Sequence, residues 1–325
     1  MPYPYKLNTS VRPLLLLRSG FGALLVLSLS LILTIVGARL GNFLIITGGI
    51  TLIGVIFLLI TLNRWPPRLN YITIYVISLC LIYLTTLPTN YLMGSDIHIE
   101  YYFAHLTQTS GWDYSLSLNI NSALSITLFA PYLSNLLHLD LLWVFKVIFP
   151  LFYALVPVIL YFVFTHFMEK REAFISAFFF VIIPSFFMEV AAIARQQIAE
   201  VFFVGFLALL VLGPERLKMR RGLWFGLLIG CGIFTIVSHY TTGGMLMFYG
   251  AITAVIILLF KVIKVRLAAP ALLSTLGIAV ICLLGITYYG TVSGGTALHD
   301  FLQVQSGTEM LSVSDQHRGF HIARG

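Results

Sequence analysis

The sequence predicts an all-α fold: a polytopic membrane helix bundle of about nine transmembrane helices, with interfacial helices in one large outer loop. Three observations predict it. The 325-residue chain is 59% hydrophobic and only 10% charged, with a mean hydropathy of +0.97, too apolar for a soluble domain to cover itself with polar groups. Its apolar residues gather in continuous Leu, Ile, Phe and Val runs, and about 20 such residues at ~1.5 Å rise cross a ~30 Å hydrocarbon layer as a helix. Continuous runs also exclude a spanning β-barrel, whose strands would alternate.

The runs fall at 20–38, 43–62, 71–89, 141–167, 172–188, 198–213, 222–238, 243–263 and 267–289. The first is not followed by a small-residue cleavage site and leads directly into a second, so it reads as an anchor. The fifth and sixth are short. Pro184 lies inside the fifth, where a missing N–H and a ring clash favour a break, so the pair reads as broken, tilted or re-entrant. The chain divides into two N-terminal spans (1–70), a core of spans carrying the outer loop 90–140 (71–289), and a polar tail (290–325) that reads as truncated, as though the chain were a fragment or had lost a further domain.

The net charge of +7 does not point to nucleic acid, because the basic residues sit in small clusters between apolar runs. They report topology instead. Lys6, Arg12, Arg18, Arg64, Arg68, Lys170, Arg171, Arg216, Lys218, Arg220, Arg221, Lys261, Lys264 and Arg266 share one side if the N-terminus is cytoplasmic. Arg39, Arg195, Arg318 and Arg324 fall on the other, and Lys146 lies inside a span. Cys80, Cys231 and Cys282 sit singly within spans, so no disulfide framework is expected.

Loop 90–140 contains no Lys or Arg and holds Asp96, Glu100, Asp113 and Asp140, four of the twelve acids in the chain. Its second half is apolar but broken by Pro131, which suits helices lying along the interface. In "GSDIHIEYYF" the backbone has just passed Pro88 and Gly94, residues that let it leave a helix and aim Asp96 back toward the bundle. A partly desolvated carboxylate is what general-base catalysis needs. A helix starting at Ser95 or Asp96 would put Glu100 on the same face as Asp96 and point His98 elsewhere. Two such carboxylates can divide base and orienting roles or share a divalent cation such as Mg²⁺ or Mn²⁺.

Arg195 is the lone basic residue between Arg171 and Arg216. An interfacial guanidinium wants an anion, either a phosphate ligand or a structural partner in Glu189 or Glu200. "SHYTTGG" at 238–244 offers His239, Tyr240, Thr241 and Thr242 as hydrogen-bonding groups to hydroxyls or phosphate, or as residues that shape a short turn. Tyr101 and Trp112 can stack on a sugar ring or belong to the interfacial aromatic belt.

These loop positions resemble the GT-C superfamily of membrane glycosyltransferases. "GSDIHIEYYFAHL" stands where that superfamily carries its acidic motif, "AIARQQIAEVFFVGFLALLVL" looks like its Arg-preceded helix, and "GLLIGCGIFTIVSHYTTG" looks like the helix whose outer end contacts lipid phosphate. "SHYTT" and "ARQQIAE" are also similar to an uncharacterised family of archaeal multi-pass membrane proteins. The resemblance covers 70–290. It implies transfer of a sugar from a polyprenyl-phosphate donor to an acceptor glycan, lipid or protein outside the cytoplasm. Asp96 and Glu100 would then be catalytic, and His98, Arg195, His239, Tyr240, Tyr101 and Trp112 substrate-binding. The chain departs from the pattern in having two spans before the acidic loop and His239 where a Lys is expected. A transporter or flippase would instead carry ionisable groups near the midplane of its spans, and a membrane scaffold would carry scattered ones.

Overall fold

The structure is a computed structural model that describes residues 20–116, 118–263 and 269–296. The expectations for the tail beyond residue 296, and for Lys6, Arg12, Arg18, Lys264, Arg266, Arg318 and Arg324, fall outside the described residues. Every regular element among the described residues is helical. Among the described residues eight helices are long and apolar enough to cross a membrane, or nine if one bent pair counts as a span.

The membrane-length helices are α1 (Gly20–Leu40), α2 (Phe43–Thr61), α3 (Asn70–Thr86), α6 (Leu141–Phe164), α9 (Ala194–Arg216), α10 (Arg221–Ser238), α11 (Tyr240–Val262) and α12 (Ala269–Thr291). Between α3 and α6 lie α4 (Asp96–Ser110) and the shorter apolar α5 (Ser125–Leu137). The bent pair is α7 (Lys170–Val181) with α8 (Ser185–Ala192), at 57° to one another. Pro184 sits at the bend, as its missing N–H requires.

The chain forms two compact units. The first comprises the described residues up to Asn90 together with Pro157–Ala191. Here α1 turns into α2 through Gly41 at φ +60° and the Asn42 cap, whose Oδ1 accepts from the backbone N–H groups of Leu44 and Ile45. The two helices cross closely, because a Cβ at Gly37 would lie 2.7 Å from the Ile46 nitrogen. Small residues at such a crossing let backbones approach where no hydrophobic effect drives them together. Ser30 and Thr34, both buried, spend their hydroxyls on carbonyls one turn back. Phe57 stacks on Phe178 at 4.3 Å.

Two side chains repair helix ends in this unit. Arg39, an exception to the charge pattern, donates to the carbonyls of Leu87 and Thr89, both at 3.3 Å, just past the end of α3. A helix C-terminus leaves carbonyls without partners and carries partial negative charge, so a guanidinium is stabilising there. Thr85 donates at 2.6 Å to the carbonyl of Phe187, in the irregular first turn of α8.

The second unit comprises Tyr91–Val156 and the described residues from Ala192 onward. One core cluster joins α4, α5, the first part of α6 and the start of α9 through Ile97, Phe103, Ile126, Phe145, Phe149 and Ile198. A second joins α9, α10, α11 and α12 through Phe206, Trp224, Leu228, Leu246, Ile281 and Tyr289. Pro131 falls in the first turn of the regular stretch Ala130–Leu137, after a π turn at Ser125–Phe129, so it shapes α5 without ending it. Lys146, buried within α6, donates to the Tyr91 carbonyl at 2.7 Å.

Candidate functional site

The site is built from the first turn of α4, the first turn of α9 and the α10–α11 junction. Asp96 opens α4 after Ser95, and the chain reaches that point through Gly94 at φ +118°. A Cβ on Gly94 would lie 2.5 Å from that of Ala192. Only glycine permits both the conformation and the approach, and the approach brings the start of α4 against the start of α9.

Asp96 and Glu100 share a face of α4, as the four-residue spacing predicts, and both reach Arg195. Its Nη2 donates to Asp96 Oδ2 at 2.9 Å and its Nη1 to Glu100 Oε1 at 2.6 Å. The other oxygen of Glu100 accepts from the backbone N–H of Ala194 at 2.7 Å and of Arg195 at 3.4 Å. Glu100 is therefore both the buried counter-ion of Arg195 and the cap on the free N–H groups of α9, where the helix dipole favours a negative charge.

Burial separates the two carboxylates. Glu100 is fully buried, whereas the side chain of Asp96 is 46% exposed. Burial pushes the Glu100 carboxyl up to about 7, against the opposing pull of Arg195 and the two backbone N–H groups. Asp96 keeps one oxygen toward Ser95, whose hydroxyl lies 3.3 Å from Oδ1.

Arg195 is 7% exposed, and its Nε finds no acceptor among the described residues. A buried donor without an acceptor is a cost the fold carries. Tyr240 faces the guanidinium with its ring centroid 5.7 Å from Cζ, a cation–π distance. His239 closes α10, 6% exposed, with Nδ1 2.8 Å from the Thr242 hydroxyl. Burial and the Arg195 charge lower its pKa to about 3, so it is neutral and acts through hydrogen bonds alone.

The same unit holds an apolar cleft of about 460 Å³ lined by Leu124, Leu128, Phe129, Ile198, Phe202 and Phe234, together with Ser238. Ile198 follows Arg195 by three residues on α9 and Ser238 adjoins His239, so cleft and polar cluster share two elements. The Ser125 hydroxyl closes one wall by donating to the Ser238 carbonyl at 3.1 Å.

The structure thus brings together Asp96, Glu100, Arg195, His239 and Tyr240. The three remaining candidates are engaged or placed otherwise. His98 is exposed on a different face of α4, Tyr101 packs edge-on to Phe145, and Trp112 donates to the Asn121 side chain at 3.1 Å. Neither Glu189 nor Glu200 is the partner of Arg195; the ion pairs come from residues 95 and 99 positions away. Glu200 instead accepts from Gln196 at 2.7 Å and bonds Tyr153.

Sequence reasoning started α9 at 198, but the helix begins at Ala194 and carries Arg195 in its first turn. The signal for this is the unbroken "ARQQIAE", which has no residue that stops a helix. Thr242, one of the hydrogen-bonding candidates of "SHYTTGG", is the partner of His239. No cluster of three or more His, Cys, Asp or Glu side chains able to hold a metal occurs among the described residues. Neither protein-family models nor curated proteins nor solved structures give a match to this chain.

Proposed function

We propose that this multi-pass membrane protein is an inverting glycosyltransferase that moves a sugar from a polyprenyl-phosphate donor to an acceptor hydroxyl, with its N-terminus cytoplasmic and loop 90–140 outside. One observation carries the reading: Asp96, a half-exposed carboxylate, is oriented by a buried guanidinium at 2.9 Å on a helix, α9, that also lines an apolar cleft of about 460 Å³ through Ile198 and Phe202. A carboxylate so held is pre-positioned for proton abstraction, and an apolar cleft suits a prenyl chain that water would reject.

In this reading Asp96 takes the proton from the acceptor hydroxyl. The acceptor oxygen forms a bond to the anomeric carbon from the face opposite the phosphate. The bond from that carbon to the phosphate oxygen breaks, and the polyprenyl phosphate leaves with the electron pair. Arg195 is already balanced by two carboxylates, so it orients Asp96 first and serves the departing phosphate only through its field and the N–H donors left over, the unpartnered Nε among them. Tyr240, Thr242 and neutral His239 supply uncharged hydrogen-bonding groups there.

The test is incubation of membranes bearing the protein with labelled polyprenyl-phosphate sugars. Wild type transfers label, and Asp96→Asn loses about 10²- to 10⁴-fold of the rate, the usual worth of a general base. Label crossing the bilayer without a new glycosidic bond, at a rate Asp96→Asn leaves unchanged, would replace this reading with a flippase.

A further inference from the structure

A second cavity, in the first unit, has chemistry of the opposite sign. It measures about 680 Å³ and lies where α2 ends, α3 begins and α7 begins. Trp65, Pro66 and Ile60 form its apolar part, while Arg68, Lys170 and Arg171 supply three cations against the single acid Glu169. Among the described residues none of these three cations is ion-paired.

The cavity has a fixed frame. Trp65 is 4% exposed, and its indole N–H donates to the Thr73 hydroxyl at 3.0 Å. Asn70, at the first residue of α3, is buried and donates to the Tyr161 hydroxyl at 3.2 Å. Arg171 reaches back toward the Thr61 carbonyl at 3.5 Å, which ties the start of α7 to the end of α2.

Topology alone accounts for basic residues at span ends, but such residues are normally dispersed in water. Here residues about one hundred positions apart in sequence converge on one hollow at the ends of three apolar helices. Lys170 and Arg171 also occupy the first turn of α7, where the helix dipole disfavours cations. Glu169 and Glu172 already cap that helix end, so an anion in the cavity offsets the cost through the three basic side chains.

We infer that this cavity binds the phosphodiester headgroup of an anionic phospholipid. Two arginines and a lysine match a phosphate, with the guanidinium fork taking its oxygens in pairs. The apolar side of the cavity, formed by Ile60, Trp65 and Pro66, suits the glycerol and upper acyl chains of a lipid better than a freely dissolved anion. The inference does not depend on the transferase reading, because it uses no residue of the Asp96 site.

The test is thermal melting and native mass spectrometry of the full chain in detergent, titrated separately with phosphatidylglycerol, phosphatidylcholine and inorganic phosphate. Phosphatidylglycerol should bind and raise the melting temperature, and the other two should not at equal concentration. Each basic group near an anionic lipid contributes a factor of about five, so Arg68→Gln, Lys170→Gln and Arg171→Gln combined should weaken retention about a hundredfold. A control pair outside the cavity, Lys218→Gln with Arg220→Gln, should retain the lipid. Glu169→Gln should tighten it, an outcome that misfolding cannot imitate. Equal protection by phosphatidylcholine or by inorganic phosphate, undiminished retention by the triple variant, or weaker retention by Glu169→Gln would each overturn the inference.

Discussion

Arg195 and Glu100 meet at 2.6 Å with their side chains 7% and 0% exposed, although 95 residues separate them in sequence. This buried pair joins the start of α9 to α4, and the Asp96 carboxylate is held through the same guanidinium. Taking two charges out of water is expensive, and the arrangement persists because Glu100 gains backbone donors as well as a counter-ion.

Breaking the pair from one side should therefore be severe. Glu100→Ala leaves Arg195 buried with only the half-exposed Asp96, and should cost about 3 to 5 kcal/mol. Replacing both members by apolar residues, as in Glu100→Leu with Arg195→Met, should recover much of that loss. Denaturant melts in detergent read both; equal destabilisation by the single and double variants would contradict a charge-based cause.

The pH dependence follows from the same burial. The folded-state pKa of Glu100 is raised from 4.5 to about 7, so the folded protein holds its proton more tightly than the unfolded chain. The resulting stability is full below about pH 4.5 and is lost as pH rises through about 7, an amount on the order of 3 kcal/mol. Glu100→Gln, which cannot titrate, should flatten this part of the stability profile, measured as melting temperature between pH 4.5 and 8.

Asp96 is expected to behave in the opposite way, with little effect on stability and a large one on turnover. A half-exposed ion pair contributes about 0 to 1 kcal/mol, so Asp96→Asn should melt close to wild type while losing transfer. Side-by-side melts and transfer assays separate the two, and a large drop in melting temperature would recast Asp96 as a structural residue.

Gly94 sets the approach of α4 to α9. Gly94→Val combines a β-branched residue at φ +118° with a Cβ 2.5 Å from that of Ala192. Strain of this kind costs about 1 to 3 kcal/mol, and the displaced first turn should lower transfer further by moving Asp96 off Arg195. Activity measured at a temperature where the variant is still folded would show this second effect; unchanged transfer there would remove Gly94 from the positioning of the site.

Much of the site is legible in the amino-acid sequence. The spacing of Asp96 and Glu100 places them on one helical face, and Pro88 with Gly94 marks where the backbone turns. Arg195 stands out because it breaks the charge pattern. Its partners are not legible there, because ion pairing across about a hundred residues follows from how helices pack and leaves no local trace. The difference in burial between Asp96 and Glu100, which separates a structural counter-ion from a candidate base, is equally invisible, since both occupy the same helical face.

By itself the sequence determined that this is an all-helical membrane protein, because the length and continuity of apolar runs follow from the thickness of the bilayer and the need to satisfy every backbone group within it. It also determined the break at Pro184, a local consequence of a missing N–H. The tertiary structure alone decided which charges meet and which stay wet. Arg39 became a helix cap, Arg195 became the buried partner of two carboxylates, and Arg68, Lys170 and Arg171 gather round a cavity with no ion pair among the described residues. The physical reason is that a charge acquires its energy from its surroundings within a few ångströms, and packing sets those surroundings.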